Sequence, residues 1–345
     1  MYQVDNKTDW PAGLYPGWSR DSKPQMTFVF KIGYSFDDHG KITPLADIAP
    51  VVEEDLYTAE PGKSSLVAGT ETVPFKQGGE VLLTGTVKPA GNGVRAQDIN
   101  LGLRLADDSF WEKQLRLFGR RSWHNSLLGA VPSKPAPLEE IPLIYELAYG
   151  GADPNNAEKI YAKNPVGLGY SDKGWRLKQV ALPQIEQGPK FITKPTSRVN
   201  PAGFGPLPLT WPPRLDLQEE LDLAQLPPGG SPYPAHCPAD LHNCAPPDQR
   251  FNQPFAGTET IRLKGFLPAS SREGVLINLP GPRPQVTLQK SDQTSQETAT
   301  CDTMQIDIDQ QQVLLTYRLA LPEDPLDQTT SWILLNDLDA EEEAS

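Results

Sequence analysis

Four residues of the types that hold zinc fall within nine positions of one stretch, "HCPADLHNC": His236, Cys237, His242 and Cys244. Imidazole and thiolate are the usual ligands of four-coordinate zinc, but structural sites usually draw ligand pairs from two separated segments. Cys237 directly after His236 is awkward for a single tetrahedral centre, so the plainer reading is a buried Cys244 beside surface histidines. Carboxylates form the second set. Glu146, Asp153, Asp248 and Glu259 would serve glycoside hydrolysis if two of them faced each other across a pocket, and spacing along the chain places no two of them so. In β-rich folds such groups more often bind backbone N–H groups or arginines, as Glu146 paired with Arg250 would. The chain has no G-x-S-x-G elbow, P-loop, dinucleotide glycine fingerprint or H-E-x-x-H helix, and its four histidines leave few bases for a Ser-His-Asp arrangement. The expectation is a non-enzymatic protein without a cofactor. A carbohydrate-active β-sandwich hydrolase using paired carboxylates is the competing reading.

The elements that must carry these residues read as strands. "MTFVFKIGYSF" (26–36), "EVLLTGTVK" (80–88) and "SFWEKQLRLFG" (109–119) are aromatic and β-branched. Ile99, Leu101, Leu103 and Leu105 alternate with Asn100, Gly102 and Arg104 at the period of two that gives a strand two faces. "RRSWH" (120–124) follows Gly119 as a possible returning hairpin arm, and Arg116, Arg120 and Arg121 read as a solvated cluster. Short strand-like runs resume after residue 258. The clearest hairpin pairs Met304, Ile306 and Ile308 with Val313, Leu315, Tyr317 and Leu319 across a turn at 309–311.

Between them lies a different grammar. Of 36 prolines, 16 fall between Pro183 and Pro254, and proline leaves helix interiors and central strands. One helix is predicted there, over 215–226, stopped by Pro227-Pro228-Gly229-Gly230. A loop region this long inside a compact protein is ordered packing or a functional surface. The predicted fold is mainly β: a large antiparallel sandwich-like core with a long, ordered proline- and glycine-rich loop region and few short helices. Its organisation reads as an N-terminal segment (1–19), a single β-rich domain (20–335; β-rich 20–150, loop-rich 151–257, β-rich 258–322) and an acidic disordered tail (336–345).

A net charge of −13 over 345 residues leaves no basic excess to displace counterions from nucleic acid or to bind an anionic membrane. Three cysteines, an odd number, fit a reducing compartment better than a disulfide framework. No charged and then apolar leader is visible, and no apolar run approaches the ~18 residues of a membrane span. The expected location is the cytoplasm.

Several loop segments share one appearance: "PLIYELAYGGAD" (142–153), "NPVGLG" (164–169), "LPQIE" (182–186), "PAGFGPLPLTWPPR" (201–214) and "CAPPDQR" (244–250). "YELAYGG" reads as a core strand leaving through a glycine pair, with Glu146 as a buried polar anchor. Asn-Pro favours turn initiation and the glycines supply positive φ. Phe204 and Trp211 either pin loops to the core or line a partner surface. In this order the segments, with "LRLFGRRSW" (115–123) upstream and "LPGPRP" (279–284) downstream, resemble one bacterial family, domain of unknown function 2169, over most of 20–322. That resemblance implies a cytoplasmic adaptor or chaperone of the type VI secretion system. Such a protein holds an effector through its PAAR-like N-terminal domain and helps load it onto the VgrG spike. It implies no catalytic site. Tyr145, Glu146, Tyr149, Gly150, Gly151, Asn164, Pro165, Gly167, Pro201, Phe204, Trp211, Pro246, Asp248, Gln249 and Arg250 are the motif residues expected to build the structure or meet the partner.

Overall fold

The computed structural model describes residues 2–126, 129–174, 177–219, 221, 237–267, 273–291, 293–323 and 329–338. The fold is mainly β, as the alternating patterns predict, and its framework is three β-sheets around one core. The first sheet has seven strands. Its spine runs, in spatial order, Arg250–Phe251, Gly79–Thr84, Thr300–Asp307, Gln312–Pro322, Pro24–Phe36 and Ala12–Trp18, and Ile42–Pro44 adds to Pro24–Phe36. The second has five, in the order Ile185–Glu186, Phe110–Phe118, Ala96–Arg104, Thr260–Lys264 and Val275–Asn278. The third has four, Tyr2–Asn6, Ser331–Asp337, Pro284–Lys290 and Gln293–Glu297. Pairing is antiparallel within these sheets except where Gly79–Thr84 meets Thr300–Asp307 and Tyr2–Asn6 meets Ser331–Asp337.

One face of each sheet supplies the core. Phe28, Phe30, Met304, Ile306 and Leu315 from the first sheet pack with Ile99, Leu101, Leu103, Leu115 and Ile261 from the second, and with Ile333 and Leu335 from the third. The hairpin expected at 300–322 forms, with Met304 opposite Leu315 and Ile306 opposite Val313, and residues 308–311 connect its arms. Strands also run through Tyr2–Asn6 and Ala12–Trp18, in the segment read as preceding the domain, and Ser331–Asp337 reaches two residues into the segment read as a tail.

The opposite face of the first sheet is also covered, and buried ion pairs hold much of its covering. Lys31 bonds Glu71 at 3.1 Å and donates to the Pro50 carbonyl at 3.2 Å. Arg318 bonds Asp302 at 2.6 Å and donates to the Glu71 and Val73 carbonyls at 2.8 and 2.5 Å. Asp302 reaches this face because it is the extra residue of a bulge between Cys301 and Thr303. Together these groups fasten the 45–77 segment down, beside the apolar contact that Leu45 and Ile48 make with Leu314 over Gly33.

Two local readings need correction. "RRSWH" does not return along Phe110–Phe118; Trp123–Ser126 pairs instead with Gly129–Pro132. Arg121 is not solvated. It is 8% exposed, ion-paired to Glu186 and stacked 3.7 Å over the Phe118 ring. Arg116 pairs with Asp98 at 2.7 Å. The helix begins at Arg214 and runs to Glu219, and residues 222–230, with the end predicted for it, lie outside the described residues. Among the described residues no helix is long and apolar enough to cross a membrane.

Candidate functional site

"YELAYGG" is not a core strand. Tyr145–Leu147 forms one 3-10 turn, and only Tyr149–Gly150 is extended, pairing in parallel with Leu168–Gly169 of the "NPVGLG" segment. Asn164 explains the arrangement. Fully buried, its side-chain N–H group donates to the carbonyls of Tyr145 at 2.8 Å and Tyr149 at 3.1 Å, while its own carbonyl accepts from the Gly151 N–H at 2.8 Å. Gly151 has φ +84°, and a Cβ there would stand 2.1 Å from the Gly167 carbonyl oxygen. The glycine pair is therefore the place where two loops touch backbone to backbone. Gly151→Ala is expected to lower stability by about 1–3 kcal/mol through backbone strain alone. Gly91→Ala, whose Cβ would meet nothing closer than 4.0 Å, should leave the melting temperature unchanged, and equal melting of the two variants would refute the contact.

Glu146 does not pair with Arg250. Its carboxylate accepts from the Thr58 hydroxyl at 2.9 Å, the Ser65 N–H at 2.8 Å and the Ser65 hydroxyl at 2.6 Å, and so anchors the Leu56–Ala68 hairpin to the 3-10 turn. It is half-buried. The cost of a broken buried ion pair therefore does not apply to it; the loss on truncation is that of hydrogen bonds to a charged group.

The "CAPPDQR" segment is a clamp. Gln249, fully buried, donates to the carbonyls of Val81 in the first sheet (2.7 Å) and Phe204 in the proline-rich loop (2.8 Å), and accepts from Lys113 of the second sheet at 2.7 Å. Lys113 also bonds the Asp248 carboxylate at 2.8 Å, and burial outweighs that partner, pushing the ammonium below its ordinary value. Arg250 donates to the Ala245 carbonyl and to Asp240, both at 2.9 Å. Phe204 and Trp211, 0% and 2% exposed, pin the loops to the interior; the alternative of an exposed surface is overturned. Tyr145 stands edge-on to Trp211 with centroids 5.9 Å apart and donates to the Gly205 carbonyl at 3.2 Å. Tyr149 is held likewise, its hydroxyl donating to the Ser197 carbonyl at 2.9 Å.

These segments meet around a cleft of about 630 Å³. Tyr145, Leu207, Pro246 and Lys113 are buried residues in its lining, and six prolines, Pro189, Pro201, Pro212, Pro213, Pro246 and Pro247, line it as well. Lys163, Lys190, Arg198, Asp216 and Asp248 are its exposed charged residues. The profile of DUF2169, described as an uncharacterized protein conserved in bacteria, matches residues 21–318. The chain belongs to that family. The match takes in the cleft and every motif segment that forms it. No curated protein and no solved structure matches the chain.

Of the residues read from this DUF2169 chain as motif positions, Tyr145, Pro201, Pro246 and Asp248 line the cleft. Asn164, Gly151, Phe204, Trp211, Gln249 and Arg250 build the framework behind it, with Gly150 and Gly167 packed against Asn164 and Pro165 half-buried beside them. The basic lining residues went unread, because Lys163, Lys190 and Arg198 arrive from separate loops with no local pattern between them.

The carboxylates work separately. Asp153 accepts from the Asn155 and Asp172 N–H groups and the Ser171 hydroxyl, and although burial opposes its charge these bonds hold it below the ordinary carboxylate range. Glu259 accepts from the Ala256 and Gly257 N–H groups. Each caps its own turn. Of the four candidate metal ligands, His236 lies outside the described residues. The backbone carbonyl of Cys237 accepts from Arg20. Cys244, buried and raised to about 12 by its burial and by Glu80, points its thiol at that carboxylate. His242 is not a surface residue; it packs edge-on to Phe75, with centroids 4.7 Å apart. Among the described residues no three His, Cys, Asp or Glu side chains are placed to hold a metal.

Proposed function

We propose that this DUF2169 protein is a type VI secretion adaptor that binds an effector through its PAAR-like domain, keeps it soluble and helps deliver it to the VgrG spike. The observation that carries the reading is the cleft. Three motif segments, 142–153, 201–214 and 244–250, line a proline-rich concavity that the buried side chains of Asn164 and Gln249 brace from behind, and a surface fixed before binding loses little entropy when a partner docks. The resemblance read from those same segments supplies the partner. Enzymatic chemistry is no part of the proposal, and the cytoplasm is its setting.

The test is co-expression with a PAAR-like effector encoded beside the protein's gene. A complex of one adaptor and one effector is expected on gel filtration, together with a higher soluble yield of the effector. An effector that is equally soluble alone and elutes separately would overturn the proposal.

A further inference from the structure

The cleft is basic on a protein that is not. Its lining holds Lys113, Lys163, Lys190 and Arg198 against Asp216 and Asp248, on a chain whose net charge is −13. Lys113 and Asp248 satisfy each other at 2.8 Å. That leaves three exposed cations and one exposed carboxylate outside the pair. Among the described residues none of the three cations has a carboxylate within ion-pair distance. Lys163 donates to the neutral side chain of Asn200 at 3.0 Å. Arg198 donates to the Ser171 and Asp172 carbonyls at 2.7 and 3.1 Å and lies 5.1 Å over the Tyr170 ring. Neutral acceptors and a ring face orient a guanidinium without cancelling its charge.

Resting on the adaptor reading, we infer that the cleft receives an extended acidic peptide segment of the client, carboxylates on the basic rim and backbone along the proline walls. Three features select this occupant. The charge is opposite to that of the rest of the protein, so an acidic segment is repelled elsewhere and drawn here. The cations are exposed, whereas a site for a small anion gathers its polar groups in a buried pocket. Apart from Lys113, which Asp248 pairs, the buried residues of the lining are Tyr145, Leu207 and Pro246, largely apolar, which suits a chain passing over them.

The probe is fluorescein-labelled deca-glutamate, followed by fluorescence anisotropy at low salt against a glycine-serine peptide of equal length. The wild-type protein should bind the acidic peptide and release it as salt shortens the screening length from about 10 Å towards 3 Å. Lys163→Glu with Lys190→Glu should weaken binding about tenfold or more. Lys63→Glu with Lys178→Glu, the same change in net charge at exposed positions outside the cleft lining, should change it less than about threefold; a tenfold loss corresponds to ~1.4 kcal/mol. Carbodiimide coupling should join the peptide to Lys163 or Lys190, as read by mass spectrometry. Binding no tighter than that of the glycine-serine peptide, or weakened equally by both variant pairs, overturns the inference. Co-purification keeps the two proposals apart. A client retained by the Lys163→Glu/Lys190→Glu protein as well as by wild type removes the cleft as its dock and leaves the adaptor, whereas a client that wild type does not retain removes the adaptor.

Discussion

Glu80→Ala is expected to lower the stability of the protein by about 3–5 kcal/mol, the cost of leaving one partner of a buried ion pair alone. Glu80 is fully buried and Lys76 nearly so, 2.5 Å apart. Lys76 also donates to the Thr303 hydroxyl at 2.9 Å, and Glu80 accepts from the Ala245 N–H at 2.9 Å. Burial opposes the charge on Glu80, but Lys76 and that N–H override it, and the carboxyl lies below its ordinary value. Truncation to alanine strands an ammonium group and a backbone donor together in the interior. The pair itself is a different matter, since desolvation of both ions consumes most of their attraction. Lys76→Met combined with Glu80→Gln, which keeps an acceptor for Ala245, should recover most of the loss in urea denaturation. A Glu80→Ala protein within about 1 kcal/mol of wild type, or a double variant no better than the single, would show that the pair is solvated rather than buried.

Such pairs mark the boundary of what the sequence discloses. The alternation of Ile99, Leu101 and Leu103, and that of Val313, Leu315 and Tyr317, predicts strands facing a core because period two is a property of neighbours. The charged layer on the other side of the first sheet has no such signature. Lys31 stands alone in "FVFKIGY", and the residue that accounts for it, Glu71, is forty positions downstream in a loop. "YELAYGG" misleads for the same reason. Its aromatic and aliphatic composition reads as a strand, while its conformation is decided by Asn164 and Gly167, which close on it from the next loop. Gln249 is the opposite case, a motif residue whose part in joining two sheets emerges only once Val81, Phe204 and Lys113 surround it. The cleft was legible as a set of unusual loops, and its charge was not, because three isolated cations become a basic surface only when the loops are folded together.

Between pH 7 and 5 the protein is expected to lose about 2 kcal/mol of stability through His242 alone. Burial pushes this imidazole down to about 3, and the neighbouring cations Arg214, Lys76 and Arg318 act in the same direction. In the unfolded chain it titrates near 6.5, so below that pH the unfolded state binds a proton that the folded state refuses, and stability falls as the pH falls. The loss continues until the folded form protonates near pH 3. The carboxylates held low in the fold, Glu80, Asp98 and Asp153, contribute stability that is lost only below their unfolded values near 4, so the interval from 7 to 5 isolates the histidine. His242→Gln removes the titration, and its urea midpoint should change much less than that of wild type over this interval. If both proteins lose stability in parallel between pH 7 and 5, His242 is not the group responsible, and its burial and cationic neighbours do not hold it neutral.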